Sequence, residues 1–197
     1  MQGFFPLFPR RPAVCYNNIM KVIINIDGGS RGNPGPGASA YVIKDTAGKI
    51  LAQEGYFMAH CTNNQAEYTA LRLALIKSAE LGAKDLEIIS DSLLLVKQYV
   101  GEYKIKNADL AARMSEIRQL ARPFQIHIRH VLRHLNKEPD ALANKAMDLK
   151  QSVGFNPIKN LEPQQTPDMT VNGVEVKPVT RGTKKTNKNA NQLSLFD

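Results

Sequence analysis

The stretch Val22–Gly37, VIINIDGGSRGNPGPG, decides the fold of this 197-residue chain. Its first residues are apolar and mostly β-branched, a pattern that is typical of a buried central strand. Asp27 follows this run and glycines follow Asp27, so the sequence predicts a carboxylate where the strand leaves the core. A buried carboxylate is costly unless it is paired or binds a metal. Asp27 is therefore predicted either to cap the next turn or to take part in a metal site.

Two further carboxylates occur in comparable positions. Leu86–Asp91, LEIISD, is a second strand-like run that ends in an acid. Between the two runs, a helical pattern extends over 62–81, and on this helix Glu67 lies on the apolar face. Because that face must pack on the sheet, Glu67 is predicted to point inward. Three inward carboxylates on adjacent elements indicate a divalent-metal site with oxygen ligands.

The other segments complete an α/β pattern. Ala38–Lys44 and Ile50–Met58 are predicted to form an antiparallel meander with the first strand. Further helices are predicted at about 92–100, 109–121 and 139–150, with a last strand over 124–133. Strands that are first antiparallel and then alternate with helices indicate a mixed sheet flanked by helices.

Four motifs in this order resemble those of ribonuclease H of type 1: DGGSRGNPGPGA, TNNQAEYTAL, ISDS and NKEPDALAN. The resemblance covers about residues 20–150 and is especially like the compact bacterial and archaeal branch, which carries a YKIKN-type segment after the third carboxylate. It implies a ribonuclease H-like α/β fold with a five-stranded mixed sheet, three antiparallel strands followed by parallel strands. It also implies endonucleolytic cleavage of the RNA strand of RNA–DNA hybrids, giving 5′-phosphate and 3′-hydroxyl ends.

The resemblance adds a fourth carboxylate, Asp140, which on its own would be explained by the favourable position of an acid in the first turn of a helix. The metal ligands and catalytic acids are then Asp27, Glu67, Asp91 and Asp140. Two Mg²⁺ ions, with Mn²⁺ as an alternative, would bind the attacking water and the leaving 3′ oxygen. Asp27 is the candidate to bridge both ions.

Substrate contacts are implied by the same motifs. The resemblance assigns Gly28, Asn33, Asn63 and Asn64 to the RNA strand. Amide side chains and exposed backbone suit a 2′-hydroxyl, which both donates and accepts hydrogen bonds. The alternative for the last two is capping of the helix that they begin.

Three other positions bear on substrate binding and catalysis. Lys106 and Asn107 are predicted to replace part of the DNA-strand contact made by the basic protrusion of larger relatives, or else to lie in a solvated loop. His134 stands where related enzymes carry a histidine or glutamate, and it is predicted either to shuttle a proton or to be solvent-exposed.

Composition sets outer limits on the function. The net charge is +8 and the pI about 9.5, which favours a polyanionic partner. Cys15 and Cys61 have neither metal-ligand nor disulfide spacing, which indicates free thiols in a reducing cytosol. No apolar run approaches the roughly 18–20 residues of a membrane span. We therefore expect a monomeric cytoplasmic protein that does not enter a membrane.

The two ends of the chain differ from its centre. Residues 1–19 are broken by prolines and are predicted to be a disordered leader, or to precede a natural start at Met20. Residues 151–190 have the composition of a flexible linker. The end of the chain, 191–197, contains a run that resembles the bacterial sliding-clamp binding motif: Gln192, Leu193, Ser194, Leu195 and Phe196. An end without function is the alternative.

Two alternatives to a ribonuclease H are a non-catalytic module and a different nuclease on the same fold. A non-catalytic hybrid-binding or clamp-adaptor module would not need four carboxylates. A resolvase or transposase relative would share the acids and the fold, but the TNNQAE and GNPGPG segments discriminate against it.

Overall fold

The computed structural model describes residues 20–155, in which a mixed sheet carries helices on both faces. The strands are β1 (Lys21–Ser30), β2 (Gly35–Lys44), β3 (Ile50–Cys61), β4 (Asp85–Ser90), β5 (Gln125–His130) and β6 (Val153–Phe155). The helices are α1 (Asn63–Glu80), α2 (Leu93–Tyr99), α3 (Ala108–Ala121) and α4 (Lys137–Leu149), with a short 3₁₀ turn at Arg133–Leu135. The predicted leader and clamp peptide lie outside the described residues, as does the linker beyond residue 155.

The sheet has the strand order β5-β4-β1-β2-β3-β6. β1, β2 and β3 are antiparallel neighbours, whereas β4 runs parallel to β1 and β5 runs parallel to β4. This arrangement confirms the predicted mixed sheet. The predicted number of five strands is wrong, because β6 adds a sixth by pairing with Gln53–Gly55 of β3. A strand of three residues is too short to show a period of two, so this strand was predicted as part of the linker.

β1 extends beyond the predicted strand end at Asp27. Residues 27–30 continue to pair with β2 as far as Gly37. On its other side, β1 loses its neighbour at this point, because β4 ends at Ser90, the partner of Ile26. Asp27 is therefore the first residue of β1 that has no partner in β4, and its carboxylate lies at the open end of the parallel pair.

Alternate residues of β1 face different helices, as the period of a strand requires. Val22, Ile24 and Ile26 are fully buried in the main core with residues of α1 and α3. Burying each of these isoleucines contributes about 1.5–3 kcal/mol to stability. The α1 face of the sheet is therefore held by a large apolar core.

The opposite face packs against α4 mainly through small side chains. Ala38 and Ala40 of β2 form a separate buried cluster with Ala143, Ala146 and Met147. Gly55 of β3 lies still closer to α4, since a Cβ there would be 2.5 Å from the carbonyl oxygen of Leu142. These contacts determine how close α4, and with it Asp140, comes to the sheet. Among the helices between residues 20 and 155, none has the length and apolar character that crossing a bilayer requires.

Candidate active site

Three carboxylates from different elements meet at the open end of β1 and β4. Asp27 belongs to β1, Glu67 to α1, and Asp91 directly follows β4. Each offers an oxygen atom, and these oxygens all lie within 4.8 Å of one another. Parallel pairing of β1 with β4 brings the two aspartates side by side. The structure thus unites the three inward carboxylates that strand ends and helical spacing predicted.

Glu67 reaches the sheet because Gly28 has no side chain. A Cβ on Gly28 would lie 2.4 Å from the backbone of Ala66 and Glu67. The buried hydroxyl of Ser39, the partner of Gly28 in β2, donates to the carbonyl oxygen of Ala66 at 2.7 Å. The first turn of α1 therefore lies directly on the β1–β2 pair. This close packing requires a glycine at position 28 independently of any substrate.

Burial makes these carboxylates hard to ionise together. Desolvation, assisted by repulsion from Asp91, raises the pKa of Asp27 to about 6, although a hydrogen bond from the Gly28 N–H opposes the shift. Desolvation, followed by repulsion from Asp27 and Asp91, raises the pKa of Glu67 well above its usual value. A cation between the three side chains would relieve both effects.

Glu67 also carries an unpartnered atom. Its Oε2 is buried and has no hydrogen-bond partner among the described residues. A buried carboxylate oxygen without a donor, next to two further carboxylates, matches the oxygen ligands that hard divalent cations take. The residues present therefore fit a divalent metal ion.

Asp140 lines the same pocket but is not a member of the three-carboxylate cluster. Its Oδ1 accepts a hydrogen bond from Arg133 Nη2 at 2.8 Å, and its Oδ2 accepts one from Asn144 Nδ2 at 3.2 Å. Both oxygens are therefore oriented by neighbours at the edge of the pocket. The fourth carboxylate is thus paired with a guanidinium group.

Arg133 is a site residue that the sequence reasoning missed. The hydrogen bond and charge of Asp140 raise the pKa of Arg133, and the guanidinium in turn acts to lower the pKa values of Asp27 and Glu67. Its side chain is 78% exposed, so it can also reach a ligand in the pocket. Arg31 of the β1–β2 turn lines the same pocket and pairs with Asp148 of α4. In the sequence, the one feature that points to Arg133 is its position next to His134, the candidate proton shuttle.

His134 lies elsewhere. Its side chain is exposed and lines a different pocket, with Asn25, Leu135, Asn136, Lys137 and Glu138. It is absent from the lining of the pocket that holds the four carboxylates. The structure does not bring His134 together with the predicted acids.

Asn33 and Asn63 connect the β1–β2 turn to α1. Asn63 Oδ1 accepts from the backbone N–H and the hydroxyl of Ser30 at 2.7 and 2.9 Å. The backbone N–H of Asn63 donates to Asn33 Oδ1 at 3.2 Å. The cap of α1 is Thr62, which forms a capping box with Gln65, so the capping role considered for Asn63 and Asn64 falls to another residue.

A third pocket lies beside the β1–β2 turn. It is lined by Asn33, Thr62, Asn64, Gln65, Asn107, Asp109 and Leu110. Asn107 caps α3, where its Oδ1 accepts from the N–H of Leu110 at 3.0 Å, and Lys106 before it is exposed. Three of the predicted substrate residues, Asn33, Asn64 and Asn107, therefore share one depression in the surface.

Known proteins match the same part of the chain. A family model described as "Reverse transcriptase-like" matches residues 25–146. Ribonuclease HI of Halobacterium salinarum is 43% identical over 123 residues, which are 62% of this chain and 62% of that protein. The chain thus spans less than two thirds of the length of this curated relative.

Two solved structures are similar in fold and in sequence. The N-terminal RNase H domain of Rv2228c from Mycobacterium tuberculosis, solved as a fusion with maltose binding protein, has a TM-score of 0.64 and 39% identity, covering 66% of this chain and 95% of that one. LC11-RNase H1, isolated from compost by a metagenomic approach, was solved in complex with an RNA/DNA hybrid. In that complex its TM-score is 0.63 at 34% identity, covering 66% of this chain and 98% of that one.

Proposed function

This chain belongs to the reverse transcriptase-like family of ribonuclease H domains, and on that premise we propose that it is an endonuclease that cuts the RNA strand of RNA–DNA hybrids. The observation that carries the proposal is the cluster of Asp27, Glu67 and Asp91, with oxygens within 4.8 Å of one another. The products are 5′-phosphate and 3′-hydroxyl ends. The domain of residues 20–150, lengthened by β6, carries the activity.

Four residues would hold the metal: Asp27, Glu67, Asp91 and Asp140. Mg²⁺ is the expected ion, with Mn²⁺ as a substitute, because all of these ligands are oxygens. When bound as a pair, such ions supply the charge that an in-line displacement at a phosphodiester needs. Asp27 belongs to β1, which lies between β4 and β2 in the sheet, and it would hold the metal together with Glu67 and Asp91.

The surroundings of the acids suit a nucleic acid. Arg31 and Arg133 line the pocket, and guanidinium groups bind phosphate in a fork geometry. Gly28, Asn33, Asn63 and Asn64 are proposed to contact the RNA strand, and Lys106 with Asn107 the DNA strand. Asn64 and Asn107 line one pocket, which supports contacts with the two strands on adjacent walls of a groove.

The test uses short end-labelled duplexes of RNA–DNA, RNA–RNA and DNA–DNA, each with Mg²⁺, Mn²⁺ or EDTA. Cutting of the RNA strand of the hybrid alone, and only with metal, is the expected result. Tight hybrid binding without cutting in either metal would favour the non-catalytic module. Cutting of the DNA duplex would favour a resolvase-like enzyme on the same fold.

Arg133→Ala is expected to lower kcat/KM for the hybrid about tenfold, the loss of one charge-assisted contact. The reason is that Arg133 both orients Asp140 and points a positive charge into the pocket. His134→Ala, tested by the same steady-state kinetics, is expected to change kcat/KM by no more than about twofold. A larger loss for His134→Ala than for Arg133→Ala would restore the proton shuttle predicted from the sequence.

We also propose that the C-terminal run Gln192–Phe196 binds a bacterial sliding clamp. Its support is the sequence alone, in which Leu and Phe anchors suit a hydrophobic groove. Deleting residues 192–197 is expected to abolish clamp binding, measured by surface plasmon resonance, and to leave hydrolysis of a short hybrid unchanged. Asn191→Ala, just outside the run, is the control. Failure of the full-length protein to bind the clamp at micromolar concentration would contradict the proposal.

A further inference from the structure

Asn136 connects two parts of the site that are far apart in sequence. Its side chain is buried, with 1% of the residue exposed, where α4 begins beside β1. Its Nδ2 donates to the carbonyl oxygen of Ile26 at 2.8 Å and to Asp91 Oδ1 at 2.9 Å. Its Oδ1 accepts from Asn25 Nδ2 at 3.0 Å. Every polar atom of this side chain is thus hydrogen-bonded.

These partners allow one orientation of the Asn136 amide. If the group were turned over, its carbonyl oxygen would face two other acceptors, the Ile26 carbonyl and the Asp91 carboxylate. Its amino group would then face the amino group of Asn25. Because the Ile26 carbonyl can only accept, it fixes the orientation in which Asn136 donates to Asp91, and Asn25 donates to the Asn136 oxygen that remains. In a buried place, where unpaired polar atoms are costly, this selection is strong.

Capping of α4 does not explain the presence of Asn136. It stands at the N-terminal boundary of α4, where an asparagine usually accepts a hydrogen bond from the first turn of the helix. Here the side chain makes no such capping bond and is directed towards β1 and Asp91 instead. The helix gives up an ordinary cap in order to make these contacts.

We propose that Asn25 and Asn136 form a positioning relay that fixes the carboxylate of Asp91 for divalent-metal binding. Within the described residues, Asn136 is the one side chain that donates a hydrogen bond to Asp91. The relay holds one oxygen of Asp91 and leaves the other for the ion. Because Asp140 lies in the first turn of α4, which Asn136 precedes, the same amide also couples two of the metal-site carboxylates.

Asn25 is the outer member of the relay. It lies in the centre of β1 between isoleucines, where an apolar residue would be the usual choice. It is half-buried and opens onto the pocket that His134 lines, so its substitution disturbs the core less than substitution of Asn136. It does not line the pocket that holds the four carboxylates, and it acts on Asp91 only through Asn136.

The test rests on the proposed function, and it measures metal binding without substrate. Titration calorimetry with Mn²⁺ is expected to give an affinity about tenfold weaker for Asn136→Ala and several-fold weaker for Asn25→Ala, since partners behind a ligand typically affect metal affinity by roughly 10–100-fold. The double variant is expected to bind Mn²⁺ no more weakly than Asn136→Ala does, because Asn25 acts on Asp91 through Asn136. Asn25→Thr, which keeps a donor and suits a strand, is expected to recover part of the affinity.

Tyr68→Phe is the matched control. It removes another buried hydrogen bond, from Tyr68 to Gln98 at 2.6 Å, between α1 and α2. It is expected to lower the melting temperature and to leave Mn²⁺ affinity unchanged. If Asn25→Ala and Asn136→Ala also lower only the melting temperature, the relay is overturned, even if the wild-type protein cuts hybrids. If both weaken Mn²⁺ binding and the wild type cuts no hybrid, the relay stands and the proposed function fails.

Discussion

An Asp27→Asn protein is expected to lose hybrid cleavage and, in the absence of metal, to be more stable than the wild type. Cleavage is expected to be lost because the amide lacks the negative charge with which Asp27 would help to hold the metal ion. Stability rises because the wild-type carboxylate is ionised at neutral pH in a place that disfavours its charge. Burial, with repulsion from Asp91, is what raises the pKa of Asp27 to about 6.

The sign of the pH dependence follows from this shift. The ordinary value for an aspartate is 3.8, so the folded protein holds this proton more tightly than the unfolded chain does. Its contribution to the free energy of unfolding is present in full below about pH 4 and is lost as the pH rises through about 6. Well above that pH the ionised group lowers stability by roughly 3 kcal/mol relative to a neutral one.

Thermal unfolding in EDTA between about pH 4 and 8 measures this effect. The melting temperature of Asp27→Asn should exceed that of the wild type by an amount that grows with pH. Addition of Mg²⁺ should stabilise the wild type and so reduce the difference in melting temperature between the two proteins. An Asp109→Asn control should not be stabilised at neutral pH, since Arg113 and Gln65 lower the pKa of that carboxyl. Residual cleavage by Asp27→Asn, or a gap that does not vary with pH, would contradict the assignment.

Gly28→Ala is expected to damage both folding and catalysis. The added Cβ would lie 2.4 Å from backbone atoms of α1, which cannot rotate away as a side chain could. The first turn of α1, which carries Glu67, must therefore move away from β1. We expect the free energy of unfolding to fall by about 3 kcal/mol, in the range of overpacked cores. We also expect Glu67 to be displaced from the other two carboxylates of the metal site.

Gly29→Ala is the matched control, because no heavy atom outside the neighbouring residues of the chain lies within 4 Å of the Cβ that it would add. The free energy of unfolding, measured in urea, should change by no more than about 0.5 kcal/mol for this variant. Hybrid cleavage by Gly29→Ala then reports whether substrate approaches the backbone at this point. If Gly28→Ala unfolds like the wild type, the packing role assigned to Gly28 is wrong, and the contact with the RNA strand implied by the family resemblance becomes its explanation.

The mixed sheet and the inward direction of three acids are accessible from the sequence. Periodicity reports which face of a strand or helix is buried, and Asp27, Glu67 and Asp91 each occupy a place where that rule applies. The parallel order of β1 and β4 then brings them together. β6 was missed because three residues show no period, and its pairing depends on where α4 ends.

Contacts that depend on side-chain direction outside regular elements were not accessible. Arg133 and His134 are neighbours in a 3₁₀ turn, and no local pattern tells which one faces the carboxylates. In the sequence Asn136 stands out only as part of a motif, since two of its partners lie more than a hundred residues earlier and the third, Asp91, follows β4. Thr62, Asn63 and Asn64 are all suitable cap residues, and the sequence does not tell which of them caps α1. Gly28 was assigned to substrate because sequence does not reveal how closely α1 approaches.

The alanine-lined contact between α4 and the sheet has a consequence for thermal inactivation. The buried cluster under α4 consists of four alanines and Met147, whereas the core under α1 contains many larger side chains, so detaching α4 is expected to cost less free energy than separating α1 from its face of the sheet. Local opening of α4 would remove Asp140 and the amide of Asn136 from the site while the main core stays intact. The proposed hydrolysis would thus depend on the less stable of the two layers, and on heating it is expected to cease before the sheet unfolds.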